Sequence, residues 1–128
     1  MNTLKLLLPL VLLAPAVNGM ASEGKAKIVT QAFRDAECIS QVTIRKLDGQ
    51  NRFLSPQGFE VDAGKHSMSG SIAFNSGNCP GHSGNPRSNK RQYAPLEADF
   101  EAGKTYYVGF DHSATDPEEW AYVIWKVE

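Results

Sequence analysis

Two stretches of this chain share one strand–turn–strand pattern, and that repeat limits the possible folds more than any other feature. Residues 59–68 and 99–110 each place an Ala-Gly-Lys triplet between two runs in which apolar and polar residues alternate. Alternation with a period of two is typical of strands with one buried face, and a glycine between two such runs suits a tight turn. We therefore expect two β-hairpins, each closed by its Ala-Gly-Lys turn.

Short strands separated by turn residues account for most of the remaining chain, and no segment shows the period of a helix. Asp48-Gly49 is a dipeptide typical of a tight hairpin turn. Pro95 has no N–H to donate, so its strand is expected to lie at a sheet edge or to begin late. The pattern predicts an all-β fold, a single antiparallel β-sandwich of about seven strands of immunoglobulin-like type. The predicted strands cover residues 28–33, 38–47, 59–61, 65–74, 94–101, 106–110 and 120–127.

Residues 1–21 have the composition of a secretory signal peptide. A lysine gives the segment a positive start, residues 6–17 are apolar, and small residues follow. This order fits the signal-peptidase rule, with cleavage after Ala21 or, as the alternative, after Ala16. The apolar run is shorter than the roughly 20 residues of a membrane-spanning helix. We therefore predict a periplasmic protein, or alternatively a secreted one, whose mature part is one β-sandwich domain over residues 22–128 with no membrane span.

Charge and cysteine usage narrow the classes of function. Without Lys5 the chain has 12 basic and 14 acidic residues, a formal charge of −2, which gives no reason to expect a nucleic-acid partner. Cys38 and Cys79 are the only cysteines, and two cysteines in an oxidising compartment usually form one disulfide. Such a bridge contributes roughly 4 kcal/mol by restricting the unfolded chain. The pair lacks the Cys-x-x-Cys spacing of redox thiols, so we predict a structural disulfide.

One segment resembles a catalytic signature, and the resemblance is incomplete. Residues 79–86 are similar to the nucleophile motif of trypsin-like serine proteases, but His82 replaces the aspartate of that motif. A catalytic triad needs a histidine oriented by a carboxylate, and no acidic residue lies between His66 and Ser83. The three histidines, His112 included, lack the spacing of metal ligands and are interpreted as surface residues. We therefore expect no enzyme activity, no catalytic residue, no metal site and no cofactor.

The long polar segment 75–92 is the candidate contact surface. Loops of this length in a compact domain tend to be functional or disordered. Its second half places cations beside an aromatic residue, which suits an anionic envelope component or an acidic protein surface. A solvated loop without a partner is the alternative. The candidate binding residues, including a tryptophan of the last strand, are His82, Arg87, Lys90, Arg91, Tyr93 and Trp120.

Aromatic residues of the last strand divide between two faces. Alternation sets Trp125 opposite to Trp120 and Tyr122. One face must pack against the core, and a tryptophan left on the outer face would suggest a platform for a sugar or a peptide.

The fragments Val61-Asp62-Ala63-Gly64-Lys65-His66 and Phe100-Glu101-Ala102-Gly103-Lys104-Thr105-Tyr106-Tyr107-Val108 resemble the small β-sandwich proteins of bacterial envelopes, among them the PEGA-type domains. The resemblance extends over roughly residues 40–128 and rests on turn residues. It implies an extracytoplasmic binding or structural module without a known reaction.

These observations together predict an exported, non-enzymatic binding module of the bacterial cell envelope. Its contacts are expected through residues 80–93, with an unknown protein or an anionic envelope component as partner. One alternative is a proteinaceous inhibitor of a lysozyme or protease that uses the same disulfide-anchored loop. The other is a purely structural envelope protein.

Overall fold

The computed structural model describes residues 23–74, 79–80 and 92–128. Within these ranges the chain is all-β, as predicted, with two short 3-10 turns and no α-helix. The predicted signal peptide and most of the segment 75–92 lie outside the described residues. The eight strands are β1 (Lys25–Val29), β2 (Ile39–Leu47), β3 (Gln50–Asn51), β4 (Gly58–Asp62), β5 (Gly64–Ala73), β6 (Leu96–Phe100), β7 (Thr105–Asp111) and β8 (Ala121–Val127).

The strands form one hydrogen-bonded sheet with mixed pairing. Its order is β4-β1-β7-β2-β5-β6, while β3 pairs with β2 and β8 pairs with β7. The pairing of β1 with β7 is parallel, whereas the sequence predicted antiparallel strands, about seven in number. Parallel neighbours need a long connection, and most of the chain lies between β1 and β7. A local sequence pattern does not reveal such a distant partner.

The Ala-Gly-Lys triplets do not close hairpins, so that prediction was wrong. The first joins β4 to β5, but β4 pairs with β1 while β5 pairs with β2 and β6. The second joins β6 to β7, which also have no pairing with each other. Gly64 and Gly103 lie at these two connections, with φ angles of 127° and 83° that favour glycine. Each connection carries the chain to a different part of the sheet instead of folding a strand back on its neighbour.

The Asp48-Gly49 hairpin is confirmed. Leu47 pairs with Gln50 across the turn, and the φ angles of Asp48 and Gly49 are 53° and 82°. Positive φ at both central residues is the geometry of the hairpin turn that asparagine or aspartate followed by glycine favours.

The core is built from the inward residues of the alternating strands. Met68, Phe100, Val108 and Phe110 are almost completely buried. Phe100 of β6 packs edge-to-face on Tyr106 of β7 with ring centroids 4.8 Å apart. Complete burial of such a side chain contributes about 1.5–3 kcal/mol. These contacts join strands that share no backbone hydrogen bonds.

The late start of β6 is confirmed and shapes the sheet. β6 begins at Leu96, directly after Pro95, and pairs with β5 from Gly64 to Met68. The other edge of β5 pairs with β2 from Met68 to Ala73. Within the residues that the structure describes, no strand therefore covers the β6-side edge of β5 beyond Met68.

Candidate functional site

A groove opens where β6 is absent beside the second half of β5. Its volume is about 710 Å³, and we call it the β5 groove. The strand β5 and residues Gln92 and Tyr93 contribute to its lining. The groove therefore lies where the segment 81–91 rejoins the described chain.

Tyr122 of β8 forms part of the floor of the groove. Its hydroxyl donates a hydrogen bond to the carbonyl oxygen of Gly70 at 2.8 Å and accepts one from the Gly70 N–H at 3.1 Å. Burial raises the pKa of Tyr122, although the Gly70 N–H opposes that shift, so the hydroxyl keeps the proton that it donates. Tyr122 thus satisfies backbone groups that a neighbouring strand would otherwise bind. The rest of the floor is apolar and comes from Ile72, Phe74 and Tyr93.

Gly70 is needed where β5 passes closest to β2. A Cβ atom at this position would overlap the carbonyl oxygen of Thr43. The pairing register of β2 and β5 also shifts between Ile44 and Lys46, which makes Arg45 the extra residue of a β-bulge. Bulges redirect a side chain relative to the regular alternation. The local irregularity therefore sets the position of a cation at the groove.

The rim of the groove is cationic. Arg45 and Lys46 are both exposed, and the Arg45 Nε donates a hydrogen bond to the Ser71 hydroxyl at 2.8 Å. That bond holds the guanidinium beside β5. Among the described residues that line the groove there is no carboxylate. The polar lining consists of Arg45, Lys46, Asn51, Ser69, Ser71 and Gln92.

The predicted disulfide between Cys38 and Cys79 is present, with Cα atoms 5.6 Å apart. The adjacent Pro80 is anchored as well, because its carbonyl oxygen accepts a hydrogen bond from His112 Nδ1 at 2.7 Å. The other ring nitrogen of His112 lies 2.6 Å from the Ser40 hydroxyl and accepts a hydrogen bond from it when Nδ1 is the donor. Cys79 and Pro80, which precede the segment 81–91, are therefore held beside the start of β2 and the end of β7.

His112 is buried, so its interpretation as a surface histidine was wrong. It and Ser40 are both fully buried, and the ring of His112 packs edge-to-face on Phe74 at 4.9 Å. Hydrogen bonds to both ring nitrogens make this burial possible. The spacing of Ser40 and His112 resembles a nucleophile and its base, but neither side chain is accessible to a substrate. The pair acts as a structural anchor.

Of the six predicted binding residues, the structure describes Tyr93 and Trp120. His82, Arg87, Lys90 and Arg91 lie outside the described residues. Tyr93 lines the groove. Trp120 is 4 % exposed, and its Nε1 donates a hydrogen bond to the Ala114 carbonyl at 2.7 Å.

The aromatic residues Tyr93 and Trp120 lie against each other, with ring centroids 6.4 Å apart, and Tyr93 also packs on Phe110 at 4.7 Å. Both belong to the packing beneath the groove. Sequence reasoning missed Arg45, Lys46 and Tyr122 as members of the site. The one sequence signal that pointed to the groove was Pro95, which has no N–H to donate to a strand ladder.

Trp125 lies on the opposite face from the buried Trp120 and Tyr122, as predicted. Its ring lies 5.3 Å from that of Tyr107, and the Arg34 guanidinium is 5.1 Å from its centroid. Lys126 stacks at the same distance on Tyr107. The room for Trp125 comes from Gly109, where a Cβ would lie 3.2 Å from the indole nitrogen. The chain's own cations thus occupy the surface that a sugar or peptide platform would use.

A second polar cluster surrounds His66. Its Nδ1 lies 2.7 Å from Asp48 Oδ2 and its Nε2 lies 2.7 Å from the Asp62 carbonyl oxygen. Because both neighbours are acceptors, only the doubly protonated ring donates to both. Burial lowers the pKa of His66, but these hydrogen bonds outweigh burial and the pKa is raised. Asp48 also accepts a hydrogen bond from the Ser67 N–H at 3.0 Å.

No family model, no curated protein and no solved structure matches this chain. The resemblance to PEGA-type domains therefore stays a prediction. In the described ranges, no three His, Cys, Asp or Glu residues are grouped so that they could hold a metal ion. No helix in the same ranges is long and apolar enough to cross a membrane.

Proposed function

We propose that this protein is an exported, non-enzymatic binding module of the bacterial cell envelope that holds an anionic partner in the β5 groove. The observation that carries the proposal is the charge of the groove rim, where Arg45 and Lys46 face no carboxylate among the described lining residues. Serine and amide side chains beside them add hydrogen-bond donors. Cations in a concave surface concentrate anionic ligands and speed their association.

The segment 81–91 extends this cationic character. It contains Arg87, Lys90 and Arg91 and no acidic residue. The disulfide and the His112 hydrogen bond anchor Cys79 and Pro80 directly before it, and Gln92 directly after it lines the groove. The predicted contact segment is therefore followed directly by a residue of a groove whose rim is also cationic.

We infer a two-layer β-sandwich from the contacts between unpaired strands. Tyr122 of β8 bonds to Gly70 of β5, and Phe100 of β6 packs on Tyr106 of β7. β2 pairs with β7 through Ile39 and Ser40 and with β5 along the rest of its length. Strands that pass between layers in this way occur at the corners of packed sheets.

The test of the proposed function uses two charge-matched double variants of the purified protein. Arg45→Gln with Lys46→Gln removes the groove cations, and Lys65→Gln with Lys104→Gln removes two exposed cations that do not line the groove. Binding of a fluorescent glutamate-rich peptide is measured by anisotropy at low and physiological salt. Exposed charge pairs contribute about 0.2–1 kcal/mol each.

On that basis the groove variant should bind about tenfold more weakly, while the control should stay within about twofold of the wild type. The difference should shrink as salt screens the charges. Equal loss in both variants would show that only net charge matters, and absence of binding by the wild type would overturn the proposal.

A second candidate function, inhibition of a hydrolase, is favoured by the anchoring of Cys79 and Pro80 directly before the segment 81–91. Restricting the chain beside a contact segment reduces the entropy that is lost when the segment enters a partner's cleft. The test is an inhibition assay against lysozymes and proteases with the wild type and with Cys38→Ser plus Cys79→Ser. Inhibition that disappears in the folded double variant would support this function, and absence of inhibition by the wild type would exclude it for the enzymes assayed.

A further inference from the structure

We infer that the partner enters the β5 groove as an extended strand and pairs at Ile72 with the edge of β5 that no described strand covers. This inference rests on the proposed function, because it names the class of partner that the same groove accepts. The class is an extended peptide in which acidic and apolar residues alternate.

The backbone direction along β5 places the hydrogen-bonding groups of Ile72 in the groove. The Ser67 carbonyl accepts from the Asp48 N–H at 2.8 Å, so Ser67 faces the β2 side. Gly70 bonds to Tyr122 and faces the opposite side. Backbone groups alternate between the two edges of a strand, so Ile72, two residues after Gly70, directs its N–H and C=O toward the groove.

In the part of the chain that the structure describes, no strand pairs with β5 on the groove side of Ile72. Met68 pairs with Leu96 at the start of β6, and Pro95 cannot extend the ladder by donating a hydrogen bond. Tyr122 satisfies Gly70 in place of a strand, while Ile72 lies beyond its hydroxyl. Unpaired strand edges bind extended peptides through backbone hydrogen bonds.

The two sides of the groove differ in chemistry. Arg45, Lys46 and Ser71 provide a polar and cationic side, whereas Ile72 and Phe74 provide an apolar one. Successive side chains of a strand point to opposite faces. A strand in the groove would therefore direct acidic side chains to the cations and apolar ones to Ile72 and Phe74.

Charge argues against the protein's own segment 81–91 as the occupant. That segment contributes Arg87, Lys90 and Arg91, which would lie against Arg45 and Lys46. Like charges close together oppose binding. A separate acidic strand is therefore the better match to the groove.

The test separates backbone pairing from charge with three versions of one peptide. The probe is an eight-residue peptide that alternates glutamate and valine. One derivative carries N-methyl groups on the valines, and the other carries them on the glutamates. All three have the same charge, but the two derivatives have opposite backbone edges blocked.

Strand pairing requires one edge of the peptide only, so one N-methylated derivative should bind at least tenfold more weakly than the other. Antiparallel pairing predicts that the valine derivative is the weak one, because residues in a bonded antiparallel pair share a face. Parallel pairing predicts the reverse. Exchange of the Ile72 amide hydrogen should slow when the unmodified peptide binds, while exchange at Gly70, already bonded to Tyr122, should change less.

The outcomes distinguish this inference from the proposed function. If both derivatives bind as tightly as the unmodified peptide, or both lose affinity equally, strand pairing is refuted while the anionic-partner proposal stands. Unchanged exchange at Ile72 in the bound state would also refute strand pairing. If none of the three peptides binds, both proposals fail.

Discussion

Replacing Tyr122 with phenylalanine should destabilise the fold by about 2 kcal/mol. The change keeps the ring in the core and removes only the hydroxyl that bonds to Gly70 at 2.8 and 3.1 Å. Each intramolecular hydrogen bond contributes about 1 kcal/mol net. The Gly70 groups lie at the groove, where water can solvate them, so the loss should stay near that sum. With a urea m-value of about 1–2 kcal/mol/M, the unfolding midpoint falls by about 1–2 M.

Tyr107→Phe is the matched control, because it removes the same atom from the outer face. The Tyr107 hydroxyl donates to Glu128 Oε1 at 3.1 Å in an exposed position, where a hydrogen bond competes with water and the loss should be below about 0.5 kcal/mol. Equilibrium urea unfolding of both variants, followed by tryptophan fluorescence, measures the difference. Equal destabilisation of the two variants would refute the assignment of Tyr122 as a substitute for a strand partner at Gly70.

Three further perturbations test other parts of the fold. Because the pKa of His66 is raised in the folded state, the stability that its protonated ring contributes is complete below the ordinary pKa of about 6.5. That stability is lost as the pH rises through the raised pKa. In urea unfolding, the free energy of unfolding of the wild type should therefore exceed that of His66→Asn by more at pH 5 than at pH 8. An equal difference at the two pH values would contradict hydrogen bonding by the protonated His66 ring. Gly70→Ala should lower the unfolding free energy by more than about 3 kcal/mol or prevent folding, because the added Cβ would overlap the Thr43 carbonyl oxygen. A decrease below about 1 kcal/mol in urea titration would show that the β2 backbone moves to accommodate the methyl group. Removing the disulfide with Cys38→Ser and Cys79→Ser should decrease stability by about 2–4 kcal/mol, and an unchanged unfolding midpoint would show that the bridge adds nothing.

Features that depend on neighbouring residues were predictable from the sequence. The alternation of apolar and polar residues over 65–74 and 106–110 predicted the strands that are β5 and β7. The Asp48-Gly49 turn has a backbone conformation that those residue types favour locally. Pro95 ended the ladder because it lacks an N–H, which is a property of the residue itself. The disulfide followed from two cysteines and an expected oxidising compartment.

Features that depend on distant partners were not predictable in this way. The Ala-Gly-Lys turns have the residues of hairpins, but pairing depends on which strands meet in the core. His112 looked like a surface residue because its partners, Ser40 and Pro80, are remote in the chain. The groove was missed because it is a gap in strand pairing, and Arg45 reaches its rim through a β-bulge.

The central claim, that the β5 groove binds an acidic partner, is tested most directly by amide chemical-shift mapping. The ¹⁵N-labelled protein is titrated with the alternating glutamate–valine peptide at physiological salt. We predict that the largest shifts cluster at Ser71, Ile72 and Gln92. Shifts confined to the outer face around Tyr107, or to the segment 81–91, would contradict the claim.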